Sequence, residues 1–309
     1  MDGSSASSNP SSRKGRANLP LITCTDCKSR LVRALKATTE ANYVRYFYIC
    51  SSRKGHSVAP LQHNLQFAVA FGVRWPYHGA SALLPSWRPT KLERHEYSLT
   101  SIAIAATVDR RWILQHRSGD FPPDTTNQIA AGLMNDGGKN HKCFNLLCPG
   151  FIQTNNKIAL GTSFISGGSS ITYDGVPYVT MSIHRVSGQK PWWVSVNDTV
   201  ISYYPHTLFP TFFPESFVNQ VGGIVHNSRP GGVHTDTVMG NGRMPSSGNS
   251  AVVKAYTAIA TDGTDKRDMH SLLGVTAPRC YNAVVLGENQ DVSGNDIAYG
   301  GPGGSHCDQ

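Results

Sequence analysis

The chain has 309 residues, enough for one large domain or two smaller ones, and its 39% hydrophobic content is adequate for a core. No apolar run reaches the ~18 residues of a bilayer-crossing helix, which excludes a helical membrane protein. The net charge of +8 is uneven: residues 1–60 hold ten Lys/Arg against three Asp/Glu, and residues 61–309 hold eighteen against seventeen. A basic N-terminal module therefore precedes a nearly neutral body.

Residues 1–18 are rich in Ser, Gly and Arg and too poor in apolar side chains to repay the entropy of ordering, so they read as a disordered leader. They contain no apolar stretch of secretory type, and the expectation from the chain as written is an intracellular protein.

Residues 19–60 read as a small unit and linker. Cys24 and Cys27 have the spacing that lets one tight turn present two thiolates to a tetrahedral zinc, and Cys50 follows with twenty-two residues between it and the second, behind Arg45-Tyr46-Phe47-Tyr48-Ile49. The segment resembles the GRF-type zinc finger of plant proteins: Leu19-Pro20-Leu21-Ile22, the Cys pair, a basic middle and an aromatic run into a third Cys. It departs at the end, because no cysteine occurs between Cys50 and Cys143 and His56 is the only nearby substitute. A site with three protein ligands and an exchangeable fourth implies weak or partial zinc binding. Tyr46, Phe47 and Tyr48 can stack on unpaired bases while Lys28, Arg30, Arg33, Lys36 and Arg45 meet phosphates. Single-stranded nucleic acid is thus the partner expected of this half, unless the aromatics form the unit's own small core.

From residue 61 to 309 the pattern is that of an all-β protein. Alternating runs such as Phe67-Ala68-Val69-Ala70-Phe71 and Val176-Pro177-Tyr178-Val179-Thr180-Met181-Ser182-Ile183 are separated by Gly, Asn, Asp and Pro clusters, with no convincing amphipathic helix. That spacing predicts an antiparallel β-sandwich. Of the pair Trp192-Trp193, one ring should point into the core and the other outward, where it can line a groove.

Cys143 and Cys148 flank four residues and precede the turn pair Pro149-Gly150, so the two can close a small ring or remain as two buried thiols. Cys280 and Cys307 offer a second pair in the same half of the chain. Asn197-Asp198-Thr199 is an N-glycosylation sequon by pattern. His234 and Asp236 with Ser228, Ser246 or Ser247 suggest a nucleophilic relay, but no Gly-x-Ser-x-Gly accompanies them. The twelve histidines show no metal-ligand spacing on one element.

Several of these stretches resemble the neprosin family, secreted plant glutamic endopeptidases that cleave after proline. The matching segments are Tyr77-His78-Gly79-Ala80-Ser81-Ala82, Glu96-Tyr97-Ser98-Leu99-Thr100-Ser101, Cys143-Phe144-Asn145-Leu146-Leu147-Cys148-Pro149-Gly150, and Lys157-Ile158-Ala159-Leu160-Gly161. Trp192-Trp193, His234-Thr235-Asp236-Thr237-Val238-Met239-Gly240 and Tyr299-Gly300-Gly301-Pro302-Gly303-Gly304 follow in the expected order. The resemblance implies a sandwich of two large antiparallel sheets, proline-containing peptides as partners, and no cofactor for the peptidase-like domain.

Such peptidases need two carboxyl groups facing one water. The first, in the family's Ile-Glu-x-Gly-Trp, has its counterpart in Val108-Asp109-Arg110-Arg111-Trp112, which puts the shorter Asp109 in place of glutamate. The second, in Trp-Gly-Gly-Glu-Val, corresponds to Val221-Gly222-Gly223-Ile224-Val225, so Ile224 occupies the slot of the second glutamate. Gln128 and Leu133 stand where the family has an arginine and a tryptophan. The expectation is a peptidase-like domain impaired in catalysis; the alternatives are an active proline-directed endopeptidase and a zinc- and nucleic-acid-binding protein acting through the N-terminal unit. Cysteine pairs persist in oxidising compartments and thiolate zinc sites in reducing ones, so the two halves point to different locations, as expected of a fusion of two modules.

Overall fold

The computed structural model describes residues 44–52, 65–72, 76–106, 115–116, 119, 127–136, 151–158, 171–209, 213–229, 233–266, 272–289 and 293–308. These form sixteen strands and three short 3-10 turns, and no helix among the described residues is long and apolar enough to cross a membrane. In chain order the strands are β1 (Val44–Ser52), β2 (Leu65–Gly72), β3 (Tyr77–Pro85), β4 (Tyr97–Ala105), β5 (Asn127–Asp136), β6 (Ile152–Gln153), β7 (Ile171–Tyr173) and β8 (Val176–His184). They continue as β9 (Trp192–Val196), β10 (Thr199–Tyr204), β11 (Val218–His226), β12 (Ala251–Ala260), β13 (Asp265–Lys266), β14 (Leu272–Val275), β15 (Asn282–Glu288) and β16 (Asn295–Gly300).

Two antiparallel sheets result. One has six strands in the order β1-β5-β4-β11-β2-β14; the other has ten, eight in the order β15-β16-β12-β3-β8-β9-β10-β6, with β13 paired to β12 and β7 to β8 off that path. The runs singled out by their alternation, residues 67–71 and 176–183, are β2 and β8. Alternation makes the sandwich because each strand sends every second side chain inward. Ile102 and Ile104 of β4 and Val221 and Val225 of β11 share one core with Met181 and Ile183 of β8, all buried. Trp192 is fully buried, donates its indole N–H to the Phe213 carbonyl at 2.9 Å and packs on the Phe213 ring. A buried indole needs such an acceptor, since an unpaired N–H would cost about 1–3 kcal/mol.

Tight hairpins fix the register at two edges. Asp174 and Gly175 join β7 to β8, Asn197 and Asp198 join β9 to β10, and all four have positive φ, the mirror-image turn whose twist suits adjacent strands.

The N-terminal boundary differs from the sequence expectation. Residues 44–52, assigned from sequence to the finger-and-linker unit, pair with β5 along nine positions, from Val44 opposite Asn135 to Ser52 opposite Asn127. An aromatic-rich run has high strand propensity, and the outer edge of β5 offers it a row of backbone donors and acceptors. Cys24, Cys27 and His56 lie outside the described residues, and Cys50 is known only by its strand position opposite Ile129.

Candidate functional site

Ile224 places the candidate site on the outer face of the six-stranded sheet. It lies between Phe67 of β2 and Leu99 of β4, its register partners, and Leu99 in turn lies beside Met134 of β5. Four residues back on β11, Gln220 lies between Phe71 and Ala103, with Ala130 beyond. The row between these two is Val69, Gly222, Ser101 and Gly132, which carries little side-chain volume at its centre. A hollow of about 110 Å³ opens there, lined by Phe67, Tyr97, Leu99, Gln128, Gln220 and Ile224 among others. Gly222 has φ +143°, and a Cβ on it would lie 2.4 Å from the Ala68 carbonyl oxygen, so no larger residue can stand at this point of β11.

The hollow is apolar in character. No acidic side chain is among its described lining, and its one titratable group, the Tyr97 phenol, is pushed upward by burial and stays neutral. Tyr97 stacks on His226 with ring centroids 5.0 Å apart. Gln220 donates through its side-chain amide to the Gly119 carbonyl. Gly119 lies in sequence between β4 and β5, and a Cβ on it would strike Phe67, so this residue sits against the outer face of the sheet. Asp109 lies in the same stretch but outside the described residues, as do Cys143 and Cys148. Of the two positions that the resemblance marks as departures, Gln128 lines the hollow, whereas Leu133 points the other way into the core.

Trp193 is not part of this face. It lies on β9 in the ten-stranded sheet, half-exposed, its indole N–H bonded to Gln189 Oε1 at 3.0 Å and its ring 5.0 Å from that of Tyr203. Its outward ring stands on the ten-stranded sheet, away from the hollow on the six-stranded one. Asn197, the sequon residue, has its Oδ1 engaged by the Thr180 backbone N–H at 3.0 Å within the β9–β10 turn.

A second constellation gathers the glycine-rich tail and the segment around His234. Glu96, at the start of the β4 segment, is fully buried. Its carboxylate accepts from the Ser228 backbone N–H and hydroxyl, both at 2.7 Å, and from the Thr235 hydroxyl at 2.6 Å. Thr237 accepts from the Glu93 N–H at its hydroxyl and from the Tyr281 hydroxyl at its carbonyl. Gly303 threads between them, and a Cβ there would come within 3 Å of the Thr235 and Thr237 carbonyls. Cys280 and Cys307 are joined in a disulfide with Cα atoms 5.1 Å apart. The serine relay is not assembled here: Ser228 is committed to Glu96, Ser247 donates to the Met244 carbonyl, and Asp236 pairs at the surface with Lys91 at 3.1 Å. Glu96 was visible in the sequence as part of a matching segment, but its role was not, because its partners are 132 and 139 residues away.

Comparison with known families gives a match to neprosin over residues 95–302. The matched span begins just before Glu96 and ends within the glycine-rich tail; it takes in the hollow's lining from β4, β5 and β11, though not Phe67 of β2, and of the second constellation Glu96, Ser228, His234, Thr235 and Cys280, though not Cys307.

Proposed function

The chain belongs to the neprosin family, and from that premise we propose that its outer hollow receives an extended, proline-containing peptide without hydrolysing it. One observation carries the reading: Ile224, in the slot where the family's second catalytic glutamate belongs, sits between Phe67 and Leu99 in an apolar surround. Peptide hydrolysis of this type needs one carboxyl group to activate water and another to donate a proton or stabilise the developing charge. Isoleucine does neither. Loss of one such group typically costs ~10²–10³ in rate. Asp109, one methylene shorter than glutamate and flanked by Arg110 and Arg111, is a poor replacement for the other, since a misplacement of about 1 Å costs on the order of a hundredfold.

The hollow's chemistry suits the ring of a proline and its neighbours. Apolar walls from Phe67, Leu99 and Ile224 bury the ring, and Gln128 offers its amide group to the peptide backbone. The test is cleavage of a proline-containing reporter peptide by the full chain from pH 2 to 7, beside an Asp109→Glu, Ile224→Glu double variant, with binding followed by calorimetry. Expected are binding without cleavage by the native chain and cleavage by the double variant. Native cleavage abolished by Asp109→Ala overturns the reading in favour of an active endopeptidase.

A further inference from the structure

The second constellation contains a donor set that the peptidase reading does not use. We propose that His234, Cys280 and Cys307 form a redox-gated zinc site, closed while the two sulfurs are bonded to each other and opened by reduction. One ligand atom from each residue lies within 4.8 Å of the others, and all three side chains are buried. Tetrahedral zinc, with bonds of about 2.3 Å to sulfur and 2.0–2.1 Å to nitrogen, places its donors roughly 3.5–3.8 Å apart. Parting the two sulfurs to that separation takes rotation of the cysteine side chains alone, because the Cα atoms already lie 5.1 Å apart.

The surroundings hold the donors in place. Gly301 lies so close to Cys280 that a Cβ on it would fall 2.1 Å from the Cys280 carbonyl oxygen. Gly304 donates its N–H to the Thr235 carbonyl at 2.6 Å, which ties the 3-10 turn Ser305–Asp308 carrying Cys307 to the segment carrying His234. The Tyr281 ring, 5.8 Å from that of His234, walls the site. Charge also balances: a disulfide is neutral, and a zinc ion on two thiolates and a neutral imidazole is neutral, so the exchange buries no net charge. The fourth position is left to water, as in an open Cys₂His site.

The chemistry is a two-step exchange. Two small-molecule thiols each lose one electron and one proton and become a disulfide, while the Cys280–Cys307 bond gains two electrons and two protons and becomes two thiols. Zinc then binds with release of those two protons to solvent. This site is separate from the Cys24, Cys27, Cys50 and His56 set, and it needs a reducing environment where the disulfide needs an oxidising one.

The full chain carrying Cys24→Ser, Cys27→Ser, Cys50→Ser, Cys143→Ser and Cys148→Ser keeps only the pair in question. After reduction with a phosphine and addition of zinc chloride, it is expected to retain one zinc per chain, to melt at a higher temperature with zinc than without, and to give a thiolate-to-metal charge-transfer band with cobalt. The unreduced protein should retain none. His234→Gln is expected to weaken zinc binding at least tenfold, and His234→Cys to restore it. Equal zinc retention before and after reduction overturns the proposal, as does unchanged affinity in His234→Gln. A reduced chain that zinc neither binds nor stabilises, folded or unfolded, overturns it as well.

Discussion

The outer hollow and the constellation around Glu96 and Cys280 lie in one family domain, yet they differ in how the chain fills them. Around Glu96 the matching residues fit with little room: Gly301 and Gly303 admit no Cβ, Thr235 and Ser228 serve a buried carboxylate, and Tyr281 reaches the Thr237 carbonyl. The hollow is lined instead by half-buried side chains such as Tyr97, Gln128 and Ile224, on the outer face of the sheet and away from the core. The difference teaches that the residues carrying the resemblance are largely those the fold requires.

That contrast is open to measurement, beginning with the disulfide. Under oxidising conditions, replacing Cys280 with alanine should destabilise the domain by about 3.5 kcal/mol, the loop-closure figure for cysteines separated by 27 residues, read as a lowered denaturation midpoint. A change below about 1 kcal/mol would mean that the constellation stands without its cross-link.

Glu96→Gln is the next largest. The substitution keeps the shape but turns one acceptor oxygen into an amide donor, facing either Ser228 or Thr235, each of which already donates. Leaving such a pair mismatched in a fully buried site should cost about 2 kcal/mol in urea denaturation. If Glu96→Gln instead abolished peptide binding at unchanged stability, the division between a structural constellation and a functional hollow would fail.

Ile224→Val should be the mildest. The side chain is half-buried, and loss of one methylene there should cost about 0.5 kcal/mol in the same denaturation assay, with affinity for a proline-containing peptide reduced. A loss above about 1.5 kcal/mol would place Ile224 among the residues that hold the fold and weaken the comparison from the other side.

Much of the architecture was legible in the sequence. Period-two alternation in residues 176–183 marked a strand, because burial of one face leaves that imprint on a half-covered sheet, whereas residues 67–71 are apolar throughout because both faces of β2 are covered. The pair Trp192-Trp193 announced one inward and one outward ring for the same reason. The substitution at Ile224 was also readable, since a residue type in a recognised motif needs no coordinates. What the pattern did not carry was partnership at long range. Residues 44–52 read as part of a finger because their neighbours in sequence are cysteines and basic residues, whereas their hydrogen bonds go to β5, some eighty residues on. Alternation told that Trp193 points outward but not from which sheet, which only the strand order of β9 supplies.

The sequence alone determined the all-β class, the family motifs and the absence of a glutamate at position 224, for each is a property of local composition or spacing. Only the tertiary structure decided that Ile224 stands over a row of small residues and so lines a hollow. It alone decided that Glu96 is held by Ser228 and Thr235, and that His234 meets Cys280 and Cys307. The physical reason is common to all three. Which strands lie side by side is set by the sum of many weak burial terms over the whole domain, and no stretch of chain records its own neighbours across a sheet.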